Sequence, residues 1–233
     1  MTRPVCRTVG GLLIASLLVA VAVVPVGATP SNELVGTFKL TSGSYSGSKP
    51  HGTWFRMIYP GGTKYFPNPD SKASNKTYTL GRAGTDGGLT TGRFQPHPDP
   101  AFDGAGNARA NKIIKPQPFT GIRFTVATLK TDPQSSKTVP APSARFSGRR
   151  LTMQLQGYTA QWNTQSFNQG APKPDGSGSP AKGTYNPATK RFVLQWTSKI
   201  AGGPFNGFSG FWHLEGTFSP RGAQPTTRSR SER

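Results

Sequence analysis

Cysteine is all but missing from this chain of 233 residues. Cys6 is the only one, and it stands in a short basic stretch ahead of an apolar run. The rest of the chain therefore has no thiol to pair, which excludes both a stapling disulfide and a thiol nucleophile. Acid is nearly as scarce. Asp and Glu number 9 against 28 Lys and Arg, and the glutamates are Glu33, Glu215 and Glu232. Glycoside hydrolysis generally needs two carboxylates flanking one bond, and Glu215 is the only glutamate away from the ends of the sequence. No Gly-x-Ser-x-Gly elbow is present, so the corresponding serine hydrolases are excluded. Of the three histidines, His97 sits between prolines with no second histidine or cysteine nearby, a poor start for a transition-metal site. No cofactor is expected. Helix-forming stretches are also short, because 29 glycines and 22 prolines, the two poorest helix residues, are spread along the chain.

A long apolar run occurs once, at the start. Arg3 and Arg7 precede residues 12–24, and Pro25, Val26, Gly27 and Ala28 follow. A basic start, a short apolar centre and a small-residue exit spell a secretory signal over residues 1–28, cleaved after Ala28. The run is shorter than the ~20 residues of a membrane-spanning helix, and its far flank is not basic. Cys6 is in the basic start rather than at the exit, which excludes a lipid-anchored lipoprotein. The expected protein is secreted and extracellular, with cell-wall association open to it. Arg3 and Arg7 are the leader's only charges, so its removal leaves 26 bases against 9 acids, a net charge of +17. Such a chain is drawn to polyanions: cell-wall polymer, acidic polysaccharide, or a membrane met only as an anionic surface. The basic residues form no dense runs, so no specific nucleic acid is implied, and the same charge is also compatible with a role in solubility alone.

What is abundant is aromatic and strand-like. The sequence holds 14 Phe, 6 Tyr and 4 Trp, core material that disordered chains lack. In residues 191–200, Phe192, Leu194 and Trp196 alternate with Val193, Gln195 and Thr197. In residues 208–218, Phe208, Trp212, Leu214 and Phe218 share a phase with Gly210 and Gly216, and Ser209, Phe211, His213, Glu215 and Thr217 take the other. A period of two gives each run one apolar face of a strand. Residues 34–40, 53–59, 77–80, 89–94, 120–129 and 149–162 read as further strands. In the last, the apolar phase slips at Gly157, which points to a β-bulge or a sharp bend. Asn186-Pro187 should turn a hairpin between 183–185 and the strand from 192. Gly-Thr-Phe occurs at 36–38 and 216–218, and Gly-Thr-Tyr at 183–185. These are too few for a repeat protein but would suit a first and a last strand that lie side by side.

Between the strands lie long Gly/Pro-rich loops, at 60–76, 95–118 and 163–180. The expectation is an all-β domain over residues 29–218, an antiparallel sandwich or an up-and-down barrel. Residues 219–233, basic and without core material, should form a disordered tail.

Three stretches carry a resemblance. TDGGLTTGRFQPHPDPAFDGAGNA (85–108), FNQGAPKPDGSG (167–178) and IAGGPFNGFSGFWHLEGTF (200–218) resemble a group of secreted actinobacterial proteins of unknown function. The likeness covers most of residues 34–220, and GGPFNGF followed by WHLEGTF is its most specific part. It implies an extracytoplasmic setting and supplies no activity or catalytic residue.

The candidate functional residues follow from chemistry. In the 202–210 loop, glycines allow close backbone approach. Phe205 and Phe208 would be held outward there, with Asn206 as a polar contact, and Trp54 could add a stacking surface. His213 and Glu215, two apart on one strand face, make either an acid–base pair or a salt-linked surface pair. Asp99, Asp103 and Asn107 offer clustered oxygens to a hard cation, without the closing acid of a calcium loop. The leading functional expectation is a non-catalytic binding or cell-envelope-associated protein attracted to anionic polymer or polysaccharide. The alternatives are a carrier with an apolar ligand inside a barrel, and a hydrolase using His213 and Glu215.

Overall fold

A computed structural model describes residues 32–221. The expected secretory signal at 1–28 and residues 222–233 of the expected tail lie outside the described residues. The fold is nearly all β, with antiparallel sheets that form a curled half-barrel closed into a sandwich. The early strands are β1 (Asn32–Glu33), β2 (Gly36–Leu40), β3 (Ser44–Ser46), β4 (Lys49–His51), β5 (Trp54–Ile58), β6 (Tyr65–Phe66), β7 (Thr79–Leu80) and β8 (Gly88–Thr90). Then come β9 (Gln117–Phe119), β10 (Ile122–Thr128), β11 (Ser143–Ser147), β12 (Arg150–Gln154), β13 (Tyr158–Trp162) and β14 (Gln165–Asn168). Last are β15 (Ala181–Tyr185), β16 (Arg191–Lys199) and β17 (Ser209–Pro220). The larger sheet runs β1-β11-β12-β15-β16-β17-β2-β8, with β5 also on β17 and with β6 and β7 on β5. The smaller runs β14-β13-β10-β9, and β3 and β4 form a separate ribbon.

The longest strand, β17, organises the larger sheet. One side pairs with β16 over its whole length, from Lys199↔Ser209 to Arg191↔Thr217. The other side takes two strands in succession: β5 against Ser209–His213 and β2 against Gly216–Pro220. The Gly-Thr-Phe triplets do lie side by side, with Phe38 paired to Phe218 and their rings 4.9 Å apart. Tyr185 of the third triplet meets Phe218 edge-on at 6.0 Å. The glycines of these triplets make room for neighbouring backbone. A Cβ on Gly216 would press on the Lys39 carbonyl, and one on Gly183 on the Val193 carbonyl.

The core lies between the two sheets. Trp196 and Trp212 are buried and stacked at 5.9 Å, and Tyr158 of the smaller sheet meets both edge-on, at 5.1 and 5.2 Å. Both indole N–H groups donate to Gln169, at 2.8 Å to its carbonyl and 3.1 Å to its Oε1. Burial of each such large side chain is worth about 1.5–3 kcal/mol, and the polar contacts keep these from costing it back. A pocket of about 40 Å³ opens between the two sheets, lined by Phe55, Met57, Phe124, Trp162 and Phe205.

Some segments differ from the sequence reading. Residues 149–162 form two strands in different sheets: β12 belongs to the larger, β13 to the smaller. Gly157 is the corner between them, where a Cβ would strike the Leu129 carbonyl. Inside the expected 163–180 loop, residues 165–168 form β14, reached through Asn163 and Thr164 at φ 47° and 60°. The 95–118 loop is tied down by buried Ile113 and Ile114. β17 also runs two residues beyond the expected boundary at 218, to Pro220 paired with Gly36.

Candidate functional site

Register fixes which side chains point away from the core. Trp54, Arg56 and Ile58 of β5 stand opposite His213, Phe211 and Ser209 of β17, and these in turn stand opposite Gln195, Thr197 and Lys199 of β16. Continuing across the sheet, the same face carries Lys182, Arg150 and Arg145. Arg191 and Lys39 flank Thr217 on it. Its carboxylates are Glu33, opposite Arg145, and Glu215. The outer face of the larger sheet is therefore strongly basic. The sequence hides this, because strand alternation places a cation at every second or fourth position and the sheet order then brings distant segments together.

At one end the basic face becomes aromatic. Trp54 stacks flat on His213, with ring centroids 4.8 Å apart and planes 4° from parallel. Phe211 lies 5.4 Å from the indole, and Tyr78 meets it edge-on at 5.1 Å. Arg56 is held between Tyr65 and Tyr78, its guanidinium carbon 3.1 and 4.3 Å from the two ring centres. It donates from Nη1 to the Tyr78 hydroxyl at 3.3 Å. Its Nε has no acceptor and no carboxylate pairs with it, among the described residues. Ring contacts of this kind orient a guanidinium without neutralising it.

His213 and Glu215 do meet, at 3.4 Å between Nε2 and Oε2. Gln195 Nε2 donates to His213 Nδ1 at 2.7 Å, so both ring nitrogens are engaged. Burial lowers the imidazole pKa below its ordinary 6.5, against the raising effect of Glu215. Glu215 also has a structural task. Its Oε1 accepts from the Gly52 N–H at 2.9 Å, and its carbonyl accepts from Thr41 N at 2.8 Å. It sits at the fork where β17 exchanges β5 for β2.

The remaining candidates scatter. Phe205 and Phe208, expected to point outward, are turned inward and half-buried. Phe205 packs on Trp162 at 5.0 Å and Phe66 at 5.8 Å, and Phe208 on Tyr59 at 5.1 Å. The rings find apolar partners at the open end between the sheets, and burying them is worth more than displaying them. Trp54 thus meets His213 but not Phe205. Asn206 is exposed, at the rim of a separate groove beside Thr197, Lys199 and Ser209.

Asp103 closes its own loop. Oδ1 accepts from the backbone of Ala105 and Asn107, and Oδ2 from Asn107 Nδ2 at 3.0 Å. These bonds, the Asn107 side chain foremost, lower its pKa. Asn107 Oδ1 accepts from Arg123 N at 2.9 Å, and Asp99 is exposed with no bond to either. Among the described residues no group of three or more His, Cys, Asp or Glu could hold a metal ion.

Compared with protein-family models, curated proteins and solved structures, the chain matches none.

Proposed function

We propose that this protein is a secreted, non-catalytic binding module that lays an anionic polymer of the cell surface across the outer face of its larger sheet. The observation that carries the reading is the register, which puts Arg56, Arg145, Arg150, Lys182, Arg191 and Lys199 on one exposed side with few acids to offset them. A sheet face presenting like charges at strand spacing suits an extended chain that repeats its own charges. The Trp54–Phe211–Tyr78 cluster adds ring surface for a sugar, and Arg56 beside it supplies a held charge. The engaged nitrogens of His213 support binding over acid–base chemistry. The pocket between the sheets, about 40 Å³, is small beside the ~300–1,000 Å³ of ligand sites, which tells against an apolar cargo there.

The test is co-sedimentation of the protein with purified cell wall across a salt series. Retention should fall steadily as salt shortens the reach of exposed charges to ~10 Å at 0.1 M and less beyond. A variant carrying Arg145→Gln, Arg150→Gln and Lys182→Gln should elute at clearly lower salt while melting at the native temperature. Retention indifferent to salt, or a triple variant that binds like the native protein, would overturn the reading.

A further inference from the structure

Two of the stretches singled out in the sequence, 167–178 and 200–218, meet in space. Residues 170–179 of the link between β14 and β15 face the end of β16 and the start of β17 across a groove of about 660 Å³. That volume falls within the ~300–1,000 Å³ typical of small-molecule sites.

The hydrogen-bond inventory of the groove is lopsided. Lys173, half-buried in its wall, donates from Nζ to the Asn168 carbonyl at 2.6 Å and to Asn168 Oδ1 at 3.3 Å. An ammonium has three N–H donors, so one is left, and no carboxylate forms an ion pair with it among the described residues. Lys199 on the opposite wall is exposed and likewise without an ion pair among them. Asn206 accepts from Gly202 N through Oδ1 at 2.9 Å, and its amide N–H donors remain unassigned. The buried carboxylate, by contrast, is fully engaged. Asp132 is buried, with Oδ1 bonded by Asn168 Nδ2 at 2.6 Å and Oδ2 by Ser135 N and Oγ at 2.7 and 2.6 Å. Burial also drives the Lys173 amine down to about 8, against the pull of Asp132 and Asp175. A partly desolvated ammonium with no carboxylate in direct contact is a cost that an arriving anion removes.

Charge selects the anion. Lys173 and Lys199 are matched in number by Asp132 and Asp175 around the groove. A singly charged carboxylate adds little repulsion there, whereas a phosphate dianion adds twice the charge. Pro172, Ile200 and Ala201 give one part of the groove apolar surface, and Ser177, Ser179 and Ser209 give another hydroxyl groups.

We propose that this groove binds a single acidic sugar, a uronate, with its carboxylate between Lys173 and Lys199 and a ring hydroxyl on Asn206. The site goes beyond the polymer-binding face, with which it shares Lys199 at one edge, and the Arg145, Arg150 and Lys182 positions of that face lie outside it.

The experiment is a titration of the full-length mature protein with D-glucuronate, D-glucose and inorganic phosphate. It is followed by calorimetry and by the side-chain NMR signals of Lys173 and Asn206. Glucuronate should shift both signals saturably, and glucose and phosphate should bind at least tenfold more weakly. Lys173→Gln should weaken glucuronate at least tenfold. Should that variant fail to fold, Lys199→Gln and Asn206→Ala, both at exposed positions, carry the test with losses of at least threefold each. The Arg145→Gln, Arg150→Gln, Lys182→Gln variant should lose cell-wall retention and keep its glucuronate affinity. Equal binding of glucose or phosphate, no shift at Lys173 and Asn206, or groove variants that bind like the native protein would each overturn the proposal. Loss of wall retention alone bears only on the sheet face.

Discussion

At Gly216 the neighbouring strand comes so close that a methyl group would meet the Lys39 carbonyl. Gly216→Ala should therefore push β2 off β17 and cost about 1–3 kcal/mol, read as a lower denaturant midpoint. Gly104→Ala, where a Cβ meets nothing within 4 Å, should leave that midpoint nearly unchanged. Glu215 gives a second test. Glu215→Ala leaves the buried Gly52 N–H without its acceptor, at a cost of about 1–3 kcal/mol. Glu215→Gln keeps an acceptor oxygen there and should cost clearly less. Equal losses in equilibrium denaturation would show that the fork does not depend on this bond. His213 sets a pH dependence. Its pKa is lowered in the folded state, so as pH falls below the ordinary 6.5 the unfolded chain takes up the proton first. The contribution is complete above that value and is lost as pH falls toward the folded pKa. His213→Gln should flatten this part of a plot of denaturation midpoint against pH.

Elements were legible in the sequence where one face is buried. The alternation in 191–200 and 208–218 became β16 and β17, and Asn186 turns the hairpin by accepting from Ala188 and Thr189 N–H through its side chain. Phase alone could not say which sheet a strand joins, so the slip at Gly157 read equally as bulge or corner. β14 escaped because its turn uses Asn163-Thr164 rather than Asn-Gly, with Thr164 in the left-handed region that β-branched residues seldom occupy. The inward turn of Phe205 was not legible either, since its partners Phe66 and Trp162 are far away in sequence. That packing makes a prediction at this scale. Phe205→Ala removes a ring from the open end between the sheets and should destabilise by about 3–5 kcal/mol if the site cannot collapse, less if it can. Its effect on wall retention should be nil, because the ring is on the opposite side of the sheet from Arg145 and Arg150.

At the scale of the whole molecule, salt should act in two opposite directions. The chain's excess of base repels itself, and screening that repulsion favours the compact state. The same screening should weaken the proposed hold on an anionic wall. Melting temperature should rise modestly with added sodium chloride over the range in which sedimentation with cell wall falls. A melting temperature that drops with salt would mean that internal ion pairs, and not net repulsion, dominate the charge balance.

The pairing of Gly36 with Pro220, extended by the bond from Arg221 N to the Val35 carbonyl at 3.0 Å, has a consequence in time. The strand that both β16 and β2 require follows every other described strand in the sequence, so the sheet cannot close until residues 209–220 are free. Contacts this distant in sequence form slowly. A nascent chain of this design stays threadable through a narrow conduit for as long as Ser209–Pro220 is withheld, and a version ending before Ser209 should be digested completely by a protease that leaves the intact domain standing.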